Sequence, residues 1–248
     1  MSTPATPAHE RTVSFAFGKG TRSGYLAEPE GTGPFPGIIV IHEIYGLNEN
    51  IKAITRRFAE AGYAALAVDL FAARNRALCM ARVMSALLLT PLQNSSLDEL
   101  KAALSYLSTL PKVDNDRVGA IGFCMGGGFA IAWACTDPRL KAIAPFYASN
   151  PRPLEAVKRS CPVVGSYPER DFTANRGRKL ETALEQYEIQ HDIKIYPGAQ
   201  HSFFNDLGSH YDPAASADSW QRVLGFFGER IAAPATGAGR DNFPDQAK

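Results

Sequence analysis

Residues 118–135 read VGAIGFCMGGGFAIAWAC, a pattern that passes from strand to helix across a glycine-rich turn. The β-type run Val118–Phe123 leads into glycines around Cys124, and an alanine-rich helical stretch, Phe129–Cys135, follows. A sharp strand-to-helix turn holds its central residue in a strained backbone conformation, where side chains at the flanking positions would clash. The stretch therefore predicts an α/β fold with Cys124 as a nucleophile at the tip of the turn.

Short β-type runs alternate with helical patterns along the rest of the chain. Leu97–Leu110 is the clearest helix, because its leucines recur on one stripe behind a capping box that starts at Ser96. Thr12–Phe17 and Thr21–Ala27 predict an antiparallel pair at one sheet edge. The fold class is thus α/β, with a mostly parallel central sheet and helices on both faces. The other strands are predicted at Gly37–His42, Tyr63–Val68, Ala142–Tyr147, Pro162–Ser166 and Ile193–Tyr196.

The composition indicates one folded domain that binds neither nucleic acid nor a membrane. Of the 248 residues, 45% are hydrophobic, and 26 Lys and Arg balance 25 Asp and Glu, so no strongly basic surface is expected. No apolar run reaches the roughly 18 residues that a membrane helix needs. Pro, Gly and charged residues predict tails at 1–11 and 232–248 around a domain at 12–231.

The cysteines and histidines give no sign of a metal site. The four cysteines show neither CxxC pairs nor metal-finger spacing, and their low density predicts a reduced, cytoplasmic protein. His42-Glu43 begins like the zinc motif HExxH, but no second His follows at the required spacing. We therefore expect no metal and no cofactor.

Two further polar residues follow predicted strands at the positions where parallel sheets bind ligands. Asp171 lies in the loop after Pro162–Ser166, and His201 lies in the loop after Ile193–Tyr196. With Cys124 they give the chain order nucleophile, acid, histidine that hydrolases with a nucleophile elbow use. We also expect the N-terminus of the following helix to stabilise a Cys124 thiolate.

The loop after GIIVIH, which begins Glu43-Ile44-Tyr45, occupies the position at which such hydrolases supply an oxyanion-hole amide. We assign that role to the Ile44 N–H together with the Met125 N–H. A fixed carboxylate beside a developing oxyanion is unfavourable, so Glu43 needs a specific task or a side chain that turns away.

The HEIYGLN loop, the GFCMGGG elbow, the Asp171 loop and the GAQHSFF loop together resemble the dienelactone hydrolase family of α/β-hydrolases. The resemblance covers about residues 12–231. It implies the α/β-hydrolase fold and a Cys-His-Asp triad formed by Cys124, His201 and Asp171. It also implies that Glu43 is held near the cysteine in the resting enzyme and helps to activate it when substrate arrives.

The resemblance is incomplete where the family binds the carboxylate of dienelactone with two arginines. Arg74 or Arg76 matches the first arginine, but the second position, four residues after His201, is Asn205. Loss of one charge-assisted contact is expected to weaken carboxylate binding. Four aromatic residues are expected to make the mouth of the site more apolar, namely Tyr45, Phe71, Phe203 and Phe204.

These features predict a cysteine-dependent hydrolase of small esters or lactones, similar to carboxymethylenebutenolidase, that acts through a thioester acyl-enzyme. One alternative keeps the enzyme but changes its substrate to other esters or to phosphotriesters. The other is a redox-sensing or binding protein on a hydrolase scaffold, in which Cys124 is oxidised instead of acylated. The expected partner is a small ester or lactone, and the protein is expected to be a monomer or a homodimer through the apolar stretch Ala77–Thr90.

Overall fold

The computed structural model describes residues 9–71 and 76–232, without the side chains of residues 76 and 77. Eight strands of the described chain form one sheet in the order β1-β2-β4-β3-β5-β6-β7-β8. The strands are β1 (His9–Phe17), β2 (Gly20–Glu28), β3 (Phe35–Ile41), β4 (Ala64–Val68), β5 (Val113–Phe123), β6 (Leu140–Phe146), β7 (Val163–Arg170) and β8 (His191–Gln200).

The strand pairings confirm the predicted fold class. β1 and β2 form the predicted antiparallel pair at one edge, and β2 also pairs antiparallel with β4. From β4 to β8 every neighbouring pair is parallel. The carboxyl ends of β3, β5, β6, β7 and β8 therefore lie at one edge of the sheet, where the loops that carry the predicted site begin.

Helices connect the strands and cover both faces of the sheet. They are α1 (Glu49–Glu60), α2 (Arg76–Leu89), α3 (Ser95–Leu107), α4 (Met125–Ala134), α5 (Ala174–Gln186) and α6 (Pro213–Phe227), with a short 3₁₀ helix at Leu154–Arg159 and a π-helical turn at Gly228–Ala232.

The start of α3 differs from the predicted capping box. Asn94 is the N-cap, and its side-chain oxygen accepts hydrogen bonds from the Ser96 N–H at 3.0 Å and the Leu97 N–H at 3.1 Å. Ser96 is instead a buried helical residue. The short amide side chain two residues upstream satisfies the first free N–H groups of the helix, so the hydroxyl of Ser96 is not needed as a cap.

The core lies in two layers because side chains along a strand alternate between the faces of the sheet. In β3, Ile39 and Ile41 pack into the cluster under α3 and α4. Ile38 and Val40 point to the opposite face, into the cluster under α1 and α6. All four are fully buried, which positions the end of β3 rigidly beneath the site.

The chain termini fall partly outside the described residues. β1 begins at His9, so residues 9–11 belong to the sheet and not to the predicted tail at 1–11. Residues 1–8 and 233–248, which hold the remainder of both predicted tails, lie outside the described part of the chain. A search of the described residues finds no helix that is long and apolar enough to cross a membrane.

Candidate active site

The elbow between β5 and α4 holds Cys124 at φ 53° and ψ −112°, a conformation that non-glycine residues rarely adopt. The residues two positions before and after it, Gly122 and Gly126, have no room for a side chain. A Cβ on Gly122 would lie 2.1 Å from the Gly126 oxygen, and a Cβ on Gly126 would lie 2.3 Å from the Ile41 oxygen. The absence of side chains at these two glycines lets the first turn of α4 pack directly against the ends of β3 and β5, as the glycine pattern predicted.

The thiol of Cys124 is mostly shielded from solvent and is expected to be protonated at rest. Burial and the negative charge of Glu43 raise the pKa of Cys124 to about 11, although the backbone hydrogen bond from Met125 lowers it. We expected the N-terminus of α4 to stabilise a thiolate. The Met125 N–H acts in that direction, but desolvation and the nearby carboxylate outweigh it in the resting protein.

Asp171 and His201 lie together at the ends of β7 and β8. The Nδ1 atom of His201 is 2.6 Å from Oδ2 of Asp171, and the hydroxyl of Thr173 donates to the same oxygen at 2.5 Å. The Asp171 side chain is 5% exposed and that of His201 is 28% exposed. Since the acid orients Nδ1–H, Nε2 is left to exchange protons with a nucleophile or with substrate.

Two aromatic rings hold the imidazole of His201. Phe172 stacks on it with ring centroids 5.8 Å apart and an interplanar angle of 13°. Tyr147 approaches it with centroids 5.0 Å apart. Together with the hydrogen bond to Asp171, the two rings restrict the rotation of the imidazole.

Glu43 is only 2% exposed and has its own set of hydrogen-bond donors. The Tyr147 hydroxyl donates to Oε1 at 2.7 Å, and the Asn205 side-chain amide donates to Oε2 at 3.4 Å. Burial raises the pKa of Glu43, against the lowering effect of the hydrogen bonds from Tyr147, Ser202 and Asn205 and of the charge of His201. The structure thus brings Glu43 into the same cluster as His201.

Sequence reasoning missed Tyr147 and Ser202, which both carry positive φ angles of 39° and 61°. Tyr147 ends the predicted strand run 142–147, and Ser202 follows the triad histidine. A polar residue at the carboxyl end of a fully buried strand is the signal that could have identified Tyr147.

The two predicted oxyanion amides belong to neighbouring segments. Ile44 lies in a turn closed by the Gly46 N–H donating to the Glu43 oxygen at 3.0 Å. Met125 is the first residue of α4, whose first turn contacts the end of β3 at Ile41. The fold therefore packs the start of α4 against the end of the strand that leads into Ile44, and the oxyanion role of both amides stays a prediction.

Comparison with known proteins gives this arrangement a family. The model of the dienelactone hydrolase family matches residues 23–231. The chain belongs to the dienelactone hydrolase family. A Saccharolobus solfataricus protein provisionally named carboxymethylenebutenolidase is 35% identical over 238 residues, which cover 82% of this chain and 91% of that protein.

Solved structures agree with the family assignment. A dienelactone hydrolase-like promiscuous phosphotriesterase from metagenomic libraries is 27% identical, has a TM-score of 0.81, and aligns with 91% of this chain and 99% of its own. The acylaminoacyl peptidase of Pyrococcus horikoshii is 15% identical with a TM-score of 0.72 over 96% of this chain and 44% of its own, a likeness that shows the fold alone. The predicted α/β-hydrolase fold and ester-hydrolase class are confirmed.

This dienelactone hydrolase family member has a cavity of about 520 Å³ beside His201. It is lined by the end of the β3 loop and by the β8–α6 loop, including Tyr45, His201, Ser202 and Asn205. Tyr45 is 53% exposed at its mouth. Of the predicted substrate-binding residues, Tyr45 and Asn205 therefore line a cavity.

Two of the remaining predicted substrate-binding residues, Phe203 and Phe71, do not line it. Phe203 is fully buried among core rings, and Phe71 is buried with its ring centroid 4.8 Å from that of His42, because both follow strand ends into the apolar layers. Arg74 lies outside the described residues, as does the side chain of Arg76. Within 9–71 and 76–232, no group of three or more His, Cys, Asp or Glu is placed to hold a metal ion.

Proposed function

We propose that this family member hydrolyses small esters or lactones through a thioester formed on Cys124. The observation that carries the proposal is the His201–Asp171 contact of 2.6 Å beside a cysteine held in a nucleophile elbow. An oriented imidazole next to a strained nucleophile is the arrangement that acyl-transfer enzymes use. An ester or lactone suits a thiolate better than a peptide does, since amide nitrogen is a poor leaving group.

In the first half-reaction the sulfur of Cys124 attacks the acyl carbonyl carbon and its proton passes to Nε2 of His201. The amides of Ile44 and Met125 hold the oxyanion of the tetrahedral intermediate. Collapse breaks the bond between carbon and the leaving oxygen, which takes the proton from His201. In the second half-reaction His201 removes a proton from water, which attacks the thioester and releases the acid and the free thiol.

Glu43 has a role in the activation of the thiol under this proposal. Its raised pKa makes it a stronger base than an exposed carboxylate, and its charge already acts on Cys124. A substrate that displaces the carboxylate from Tyr147 and Asn205 would free it to accept the thiol proton and pass it on to His201, which delivers it to the leaving oxygen. This agrees with the role that family resemblance implies.

The test is hydrolysis of p-nitrophenyl acetate and of dienelactone by the native chain and by Cys124→Ala. We expect turnover of an ester or lactone that Cys124→Ala loses, and a thioester adduct on Cys124 by intact mass spectrometry with a slow substrate. Circular dichroism of the variant controls for folding. Turnover that survives in Cys124→Ala would contradict the nucleophile, and turnover of p-nitrophenyl acetate alone would show that the specificity has moved away from dienelactone.

A phosphotriester is a second candidate substrate, favoured by the structural similarity to a promiscuous phosphotriesterase. The triad and oxyanion amides suit a tetrahedral phosphorus centre as well as an acyl carbon. Release of p-nitrophenol from paraoxon, lost in Cys124→Ala, would support it.

The redox-sensing alternative is disfavoured by the raised pKa of Cys124, because sensor cysteines are thiolates at neutral pH. Oxidation of Cys124 by mild peroxide ahead of the other thiols, with no ester hydrolysis above buffer, would favour it. The four cysteines are free thiols, which supports the proposal of a reducing, cytoplasmic compartment. Exposed leucines on α2 leave a homodimer as an alternative to a monomer, and sedimentation velocity distinguishes the two.

A further inference from the structure

A second cavity of about 280 Å³ opens between α2, α5 and the loop after β6. Leu87 and Leu88 of α2 form its apolar wall. The opposite wall comes from the loop that begins at Ser149 and from the first turns of α5. The mechanism described above does not use this cavity.

The cavity is strongly cationic. Arg152, Arg176 and Lys179 line it, and no Asp or Glu does. Among the described residues, none of these three cations has a carboxylate within 4.0 Å. Three like charges around one cavity repel each other unless an anion lies between them, so the charge pattern favours an anionic ligand.

The cavity adjoins the nucleophile. A Cβ on Gly128, in the first turn of the helix that Cys124 caps, would lie 3.2 Å from the side chain of Leu87 and 3.4 Å from the backbone oxygen of Ser149. Both of these residues line the cavity. The charge of Arg176 in the cavity wall also acts on the Cys124 thiol, so an anionic group held by Arg176 lies on the side of the cavity nearest the nucleophile.

Arg176 connects the cavity with the triad histidine. Its Nη1 donates to the Ser149 hydroxyl at 2.5 Å, which fixes the guanidinium at the cavity wall. The guanidinium carbon lies 4.8 Å from the ring centroid of Phe172, the ring that stacks on His201. Arg176 is half-buried, so a charge-assisted bond to a ligand is less screened here than at an exposed site.

We propose that Arg176, assisted by Arg152 and Lys179, binds an oxyanion of the substrate in this cavity, so that the enzyme prefers small esters or lactones that carry a carboxylate. The inference rests on the proposed function. It places the anion on the α5 side of the triad. Asn205, which stands where the family has its second arginine, donates a hydrogen bond to Glu43 and carries no charge that could bind the anion.

The experiment compares two esters with the same leaving group and acyl length, mono-p-nitrophenyl glutarate and p-nitrophenyl pentanoate. We expect Arg176→Gln to lower the ratio of kcat/KM for the anionic ester to that for the neutral ester by roughly tenfold or more, mainly through KM. Arg176→Lys is expected to restore part of the ratio. Arg178→Gln is the matched control, since Arg178 lies on the same helix, contacts Asn175 and does not line the cavity.

An unchanged ratio in Arg176→Gln overturns the inference. An equal loss of kcat/KM on both esters overturns it too, because it would mean that Arg176 acts only by positioning Phe172 and His201. A fall in the ratio for Arg74→Gln or Arg76→Gln but not for Arg176→Gln assigns the anion to another arginine. If the native chain hydrolyses neither ester, calorimetric titration with glutarate tests the cavity alone, and the proposed function fails when dienelactone is not hydrolysed either. Binding that Arg176→Gln loses and Arg178→Gln keeps supports the site, and absence of binding to the native chain overturns it.

Discussion

Burial makes both Cys124 and Glu43 harder to ionise, and the negative charge of Glu43 makes Cys124 harder still. Burial and the Glu43 charge hold the pKa of Cys124 at about 11, while burial also raises the pKa of Glu43. A thiol that stays protonated until substrate arrives is protected from oxidation and alkylation. The proposed mechanism needs such a group to be deprotonated only in the complex.

Glu43→Gln is expected to accelerate alkylation of Cys124 by iodoacetamide at pH 8 while it slows ester hydrolysis. Removal of the negative charge lowers the pKa of Cys124, and each unit of lowering gives about tenfold more thiolate at this pH. Peptide mapping by mass spectrometry gives the rate at Cys124. Glu60→Gln, at an exposed position, is the control for a lost carboxylate. Alkylation no faster than in the native chain would contradict the coupling between the two residues.

The sequence identified the residues whose positions are set locally. Cys124, Asp171 and His201 each follow a strand run closely, so strand prediction alone placed them at one sheet edge. Tyr147 could not be paired with Glu43 in this way, since 104 positions separate them and the contact depends on the order of strands in the sheet. The ionisation state of Cys124 at rest could not be predicted for the same reason, because the burial and the charge that raise its pKa come from distant segments.

At the scale of elements, the predicted strands and helices are found with shifted ends. β5 begins at Val113 although its apolar run begins at Val118. The early part of β5 is polar, and the register with β3 shifts between Pro36 and Gly37. A bulge of this kind adds residues that break the alternation of apolar and polar side chains typical of a strand, so the hydrophobic pattern of the sequence does not reveal it.

The cap of α3 gives a direct test of the corrected helix start. Asn94→Ala is expected to destabilise the protein by about 1 kcal/mol, because it removes the acceptor for two backbone N–H groups. Ser96→Ala is expected to be neutral or slightly stabilising, since among the described residues the buried Ser96 hydroxyl has no hydrogen-bond partner. Urea unfolding of both variants measures the difference. The reverse ranking would restore Ser96 as the cap.

Two glycines in helices should respond to alanine in opposite directions. In Gly126→Ala the new Cβ would lie 2.3 Å from the Ile41 backbone oxygen, so we expect a loss of at least roughly 1–3 kcal/mol and of activity. In Gly225→Ala on α6 the Cβ meets no atom within 4 Å, and we expect a gain of about 0.5–1 kcal/mol. Thermal unfolding checks both. A stable and active Gly126→Ala would show that the elbow can relax.

The whole molecule explains why a buried carboxylate is tolerated at the site. The sheet order brings the ends of β3, β6 and β8 together, so Glu43 receives hydrogen bonds from Tyr147 and Asn205. These bonds lower the pKa of Glu43 without overcoming the effect of burial. The charged form therefore costs folding free energy that the two hydrophobic layers of the domain offset. Hydrophobic periodicity predicts the layers but not the order of the strands, so this arrangement could not be derived from the sequence.

The cost of the Glu43 charge should appear in the pH dependence of stability. Folding raises the pKa of Glu43, so the folded chain holds the Glu43 proton more tightly than the unfolded chain does. The stability that the protonated carboxyl contributes is fully present below the pKa of Glu43 in the unfolded chain, and it is lost as the pH rises through the pKa of Glu43 in the folded chain. Glu43→Gln should therefore be more stable than the native chain at pH 7, by about 1.4 kcal/mol for each unit of raised pKa. Urea unfolding between pH 4 and pH 8 should show this advantage shrinking toward acid pH, while Glu60→Gln follows the native curve. An advantage that is independent of pH would instead assign the gain to packing around Tyr147, and a less stable variant at pH 7 would mean that the charged carboxylate holds the loop together.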